Sequence, residues 1–232
     1  MKSDLASLKN RGYVEPGIES DYLQADFNEK VRLLYSNLPF ERSLGARLLA
    51  TEYNSEAIEL LITALEKEKK LYSKIEISNA LTKQGQQAVK ALISALGKIG
   101  SNQHKEVPQI PFNKKSYPLP RDIVARTLSY MGLAALPELL DALNTKNKAQ
   151  LSEIIDSIGY ISFYGHNSRA YDKLIECYSA NEGSDLIRWK IIRAMSGLPE
   201  SREFLTGRLG TEKNYGIKLE TERSLKLINS RK

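Results

Sequence analysis

Residues 126–143 read "RTLSYMGLAALPELLDAL", two apolar stripes separated by a turn. Gly132 sits where the first stripe stops, and Pro137 falls in the first turn of the second, where its missing N–H costs nothing. In the second stripe Ala135, Leu139, Leu140 and Leu143 are spaced i, i+4, i+5 and i+8, one face of an α-helix. The stretch therefore specifies two antiparallel helices joined by a tight turn.

Outward from it the same register recurs. Ala57, Ala88, Ala170 and Ser201 match Ala135, and Leu61, Leu92, Leu174 and Leu205 match Leu139. Ile62, Ile93, Ile175 and Thr206 match Leu140, while Leu65, Leu96, Tyr178 and Leu209 match Leu143. The copies follow at intervals of 31, 47, 35 and 31 residues, so two of them carry excesses of 16 and 4 over the basic unit. The larger excess is "SNQHKEVPQIPFNKKSYPLP" (101–120); the smaller lies in "ISFYGHNSR" (161–169).

Each stripe is preceded by another helical segment. A lone segment, "GIKLETERSLKLINS", follows the last copy, and an atypical one, "SDYLQADFNEKVRLLYSN", precedes the first. Units that cannot bury their apolar face alone must stack, and the end units are atypical because one face meets water. The expected fold is all-α: a right-handed α-solenoid of stacked antiparallel helix pairs, five full pairs flanked by capping half-units.

"NALTKQGQQAVKALISAL" (79–96) and the opening stretch resemble HEAT repeats of the short, about 30-residue kind also found in phycobilin-lyase subunits. The resemblance spans about residues 20–229 and implies five HEAT-like repeats. It leaves function open, because such repeats serve as scaffolds, inhibitors, lyases and nucleic-acid binders. Residues 1–18 are expected as a partly ordered N-terminal segment, since Gly12, Pro16 and Gly17 stop any leading helix early. Residues 19–232 are expected as one repeat domain with insertions at 101–120 and 161–169.

The chain has 232 residues, 41% of them hydrophobic, enough for a continuous core. One cysteine forms no intramolecular disulfide and no apolar run approaches a membrane span, so a cytoplasmic, reducing setting is expected without membrane or metal partners. Cys177 lies in the small-residue column of Ala64, Ala95 and Ala142 and reads as a buried, unreactive thiol. Neither His104 nor His166 is followed by glutamate, which argues against the His-Glu dyads of the iron-dependent hydroxylase in this repeat class. The two histidines sit in loops expected on opposite solenoid edges, roughly 18 Å apart for helices of about 12 residues, so they read as exposed and non-ligating. No catalytic constellation, metal site or cofactor motif is recognised.

The net charge of +6 is uneven. Residues 100–126 carry five basic and two acidic side chains, and 183–232 carry eleven and six. The first group suggests an ordered, proline-stiffened arm in which His104, Lys105, Phe112, Lys114, Lys115 and Tyr117 meet a partner. Deleting 102–117 is then expected to spare helical content and melting. The second group suggests a basic patch of Arg188, Trp189, Lys190, Arg193, Arg208, Lys213, Arg223 and Lys226; the interspersed Glu200, Glu203, Glu212, Glu220 and Glu222 suggest instead a solvated face of i, i+4 pairs, with Trp189 as packing. Between the second-helix stripes, Glu59, Glu66, Lys90, Glu138, Asp141, Lys173 and Glu176 would line a concave face of mixed sign.

These features favour a non-catalytic scaffold or adaptor that binds a protein partner on the concave face or the arm. Nucleic-acid binding through the arm and the basic patch is the alternative, and a phycobilin-lyase-like subunit a third.

Overall fold

The computed structural model describes residues 4–230 and, among these, contains thirteen α-helices, five short 3-10 turns and no strand. The chain forms two compact units, one ending at Ala95 and one beginning at Leu96. The boundary within the expected 19–232 repeat domain falls just before the arm.

The first unit contains α1 (Leu5–Lys9), α2 (Phe27–Leu34), α3 (Pro39–Leu49), α4 (Ser55–Lys67), α5 (Leu71–Lys83) and α6 (Gln86–Ala95). Helices α3 and α5 pack against each other, as do α4 and α6. The N-terminal segment is held more firmly than its glycines and proline suggest. Val14 is buried with Leu33, Leu44 and Leu48, the Gly12 carbonyl accepts from Ser43 Oγ at 2.5 Å, and Arg11 O accepts from Tyr72 N. Arg47 on α3 closes the arrangement by pairing with Glu19 and Glu76.

The second unit contains α7 (Ile123–Met131), α8 (Leu136–Asp141), α9 (Lys148–Gly165), α10 (Tyr171–Ser179), α11 (Asp185–Ala194), α12 (Arg202–Thr211) and α13 (Tyr215–Ser230). The first helices α7, α9, α11 and α13 pack in succession as one layer, and α8, α10 and α12 lie against it. The repeat register explains the packing. Leu61, Leu92, Leu139, Leu174 and Leu205 are all completely buried, as are Ala57, Ala88, Ala135, Ala170 and Ser201. Burying one such leucine contributes about 2 kcal/mol, and the small column lets the neighbouring backbone approach.

Between first helices, polar side chains bridge consecutive repeats. Ser157 Oγ donates to Ala125 O at 3.1 Å, and Ser224 Oγ to Ile192 O at 3.0 Å. The smaller insertion is mostly helix rather than loop. Residues 161–165 extend α9 to 18 residues, which ends with His166 in the left-handed conformation (φ 47°). Ile161, Ser162 and Phe163 supply buried faces there, so continuing the helix gains more than a loop would.

Candidate functional site: the arm and the cavity beneath it

The 101–120 segment crosses the first-helix layer of the second unit. Asp122 clamps its base. One carboxylate oxygen caps α7 by accepting from Val124 N and Ala125 N at 2.7 and 3.0 Å. The other accepts from Gly97 N and Gln103 Nε2 at 3.1 and 2.8 Å, so one buried side chain gathers both ends of the loop.

Beyond the clamp, the His104 ring meets Trp189 of α11 edge-on, with centroids 4.9 Å apart. Val107 and Pro108 pass over α13 at Gly216, where any Cβ would collide with the Pro108 carbonyl. Phe112 lies beside the Arg193 and Arg223 guanidinium groups, at 5.6 and 4.8 Å. Arg223 donates to Lys114 O and to Ser116 O, the latter at 2.7 Å. The arm ends by inserting Tyr117, 2% exposed, among Phe163, Leu227 and Tyr160. Gly159 makes room, since a Cβ there would meet the Tyr117 hydroxyl.

This path corrects two expectations. His104 is half-buried rather than exposed. The two insertions also meet, because the arm lies across a face and Tyr164 Oη on the α9 extension donates to Tyr117 O at 3.0 Å. Phe112 is half-buried, whereas Lys105, Lys114, Lys115 and His166 are exposed.

The expected basic patch is largely consumed in pairing. Lys190 is completely buried, with Nζ 2.8 Å from both Glu153 Oε1 and Asp156 Oδ2 on α9. Arg193 pairs with Glu220 at 3.1 Å, and Arg223 reaches the other oxygen of that carboxylate at 2.5 Å. Arg188 bridges Asp185 and Glu212, and Arg208 lies over Tyr178 and Phe204 with Glu182 at 4.0 Å. Trp189 is 1% exposed beneath Arg193, whose guanidinium is 3.8 Å from the ring centroid. Lys213 and Lys226 are exposed. Buried cations require carboxylates nearby because desolvating an unpaired charge is too costly, and helices one repeat away provide them.

On the second helices, Glu59, Glu66, Lys90, Asp141, Lys173 and Glu176 are exposed and Glu138 is half-buried. Lys173 and Glu176 pair at 2.9 Å. With Asp141, Lys146, Lys148 and Asn181 they line a groove of about 400 Å³ between α8 and α10. Cys177 is buried at its floor, and burial raises its thiol pKa.

A second cavity, about 270 Å³, lies between the arm and α9, α11 and α13. The arm contributes His104, Pro111, Phe112, Pro118 and Leu119; the helices contribute Asp156, Trp189, Arg193, Leu219 and Glu220. Burial lowers the His104 pKa to about 4; Asp156 opposes the shift, and Lys190, Arg193 and Arg121 add to it. Burial raises Glu153 to about 7, opposed by Lys190 and reinforced by Asp156. Tyr117 is pushed well up by burial. At neutral pH the cavity thus has a neutral imidazole beside charge pairs.

Sequence reasoning missed Asp122, Glu153, Asp156 and the aromatic extension of α9. One signal was available: opposite charges about one repeat apart, such as Asp156 and Lys190 or Arg193 and Glu220.

No group of three His, Cys, Asp or Glu side chains that could hold a metal occurs among the described residues. No single helix among them is long and apolar enough to cross a membrane. No protein-family model matches the sequence, and no curated protein matches it. Among solved structures, the chain is similar to two engineered proteins from the Northeast Structural Genomics Consortium. One is 17% identical with TM-score 0.38, over 88% of this chain and 97% of the other. The second is 15% identical with TM-score 0.38, over 95% of this chain and 62% of the other.

Proposed function

We propose that the chain is a non-catalytic interaction module, a right-handed solenoid of HEAT-like helix pairs that binds a protein partner along its second helices. The observation carrying this reading is the groove between α8 and α10, where Asp141, Lys173 and Glu176 come together as an exposed lining of alternating sign. Such a lining complements a polypeptide with charges of its own, and alternating signs select register and partner. A phosphate backbone would call for cations of one sign, and five of the seven cations of the expected patch, Arg188, Lys190, Arg193, Arg208 and Arg223, have carboxylates beside them. A cytoplasmic, reducing setting belongs to the same proposal.

The test is affinity capture with the wild-type chain and with the double reversal Asp141→Lys, Lys173→Glu. One stoichiometric protein retained by the wild type and lost by the variant supports the reading. Equal capture by both, or recovery of nucleic acid alone, overturns it.

A further inference from the structure

The arm shows how the first-helix layer holds a proline-rich chain. Side chains donate to its main-chain carbonyls: Arg223 to Lys114 O and Ser116 O, Tyr164 to Tyr117 O, and Arg126 to Pro120 O at 3.1 Å. Tyr117 and Leu119 each precede a proline and are thereby kept extended. Carbonyls that neither helix nor sheet consumes need donors from elsewhere, and these helices supply them.

The same two helices carry further donors that the arm leaves uncovered. Tyr130 is one turn beyond Arg126 on α7, and Tyr160 one turn before Tyr164 on α9. Their rings form a row: Tyr130 and Tyr160 meet edge-on with centroids 6.2 Å apart, and Tyr160 and Tyr164 are 4.6 Å apart. Tyr130, Leu133 and Tyr164 are 54, 49 and 47% exposed, and the Tyr160 hydroxyl is only lightly buried. Neither the Tyr130 nor the Tyr160 hydroxyl has a hydrogen-bond partner among the described residues.

The surface is also uncharged, in a chain with 27% charged residues. No Asp, Glu, Lys or Arg occurs in 127–137 or 157–168, the stretches that carry it. A nucleic acid or a charged peptide would find no counter-charge there. A proline-rich strand in the polyproline II form offers free carbonyls to the hydroxyls and rigid apolar faces to the rings, at a low ordering cost.

We propose that Tyr130, Leu133, Tyr160 and Tyr164 form a docking surface for an uncharged, proline-rich segment of a partner protein, bound as a polyproline II strand beside the chain's own arm. Its prolines pack on the tyrosine rings and Leu133, while Tyr130 and Tyr160 donate to its carbonyls as Tyr164 does to Tyr117 O. The surface belongs to first helices, and its occupancy is independent of the groove between α8 and α10.

The probe is fluorescein-labelled decaproline followed by anisotropy, with a glycine–serine decapeptide as control. The expected result is saturable binding of decaproline alone, weakened about tenfold by Tyr130→Ala and by Leu133→Asp. Tyr130→Phe, which loses only the hydroxyl, should weaken it about threefold. Both positions are exposed, so the helical circular dichroism should be retained. The groove variant Asp141→Lys, Lys173→Glu should bind decaproline as the wild type does. Absence of saturation, equal binding of the control peptide, full binding by folded Tyr130→Ala, or loss of binding in the groove variant would overturn the proposal. So would sedimentation showing the surface paired with a second copy of the chain.

Discussion

Tyr164 donates its hydroxyl hydrogen to the main-chain carbonyl of Tyr117 at 3.0 Å, joining the two insertions that interrupt the repeat. The donor exists only because α9 continues beyond the regular repeat length, and the acceptor only because the arm crosses the first-helix layer. The arm is therefore part of the second unit's packing.

Deleting residues 102–117 is expected to lower the melting temperature by several degrees, contrary to what the loop's composition suggests. The deletion removes the buried Tyr117 and Val107 side chains and leaves Trp189, Phe163 and the Arg223 donors uncovered. Thermal melts followed at 222 nm check this; an unchanged midpoint would make the arm energetically idle.

Gly159→Ala is expected to destabilise the second unit by about 1–3 kcal/mol, the usual cost of overpacking. The new methyl would meet the Tyr117 hydroxyl on one side and the Ala194 backbone on the other, and the helix backbone does not yield. Urea unfolding measures the loss. Adding Tyr117→Phe should recover part of it, since the clashing oxygen is gone.

Lys190→Met is expected to cost about 3–5 kcal/mol, the penalty for leaving buried carboxylates without their cation. Glu153 and Asp156 would then face each other with no ammonium between them. The triple variant Lys190→Met, Glu153→Gln, Asp156→Asn should regain much of the loss, because it removes the stranded charges as well. Chemical denaturation of the series tests both statements.

Stability should depend on pH through two groups that act in opposite senses. Glu153 rises from 4.5 to about 7 on folding, so its contribution is complete below 4.5 and is lost as pH rises through 7. His104 falls from 6.5 to about 4, so the folded state is penalised as pH drops from 6.5 towards 4. Between pH 4.5 and 6.5 the two slopes oppose each other, so Glu153→Gln is expected to leave stability rising with pH up to 6.5, and His104→Gln to leave it falling from 4.5 to 7. Unfolding free energies measured between pH 4 and 8 separate the two.

Much of the fold could be read from the chain because helix stripes are a local signal: the leucine column recurs at a fixed offset and every member is buried. The arm was legible as an excess of 16 residues, yet its course was not, since Tyr117 finds Phe163 through space at a separation of 46 positions along the sequence. The charges misled for a related reason. Composition counts Arg193 and Lys190 as basic surface, whereas their effect depends on Glu220 and Asp156 in neighbouring repeats. Apolar periodicity tells which face turns inward; it does not tell which buried cation has a counter-ion waiting. A length excess does not distinguish added turn from added helix, so the second insertion reads as a loop in the sequence although residues 161–165 are helical.

The Tyr164–Tyr117 bond also bears on transplantation. A chimera that takes residues 101–120 into another repeat array of this type, but keeps a regular-length α9, would import a tyrosine with no slot to enter. One that takes the longer α9 alone would leave Phe163 facing water. The two segments behave as one cassette with two splice sites, so length changes at either site should be tolerated only when the other changes with it.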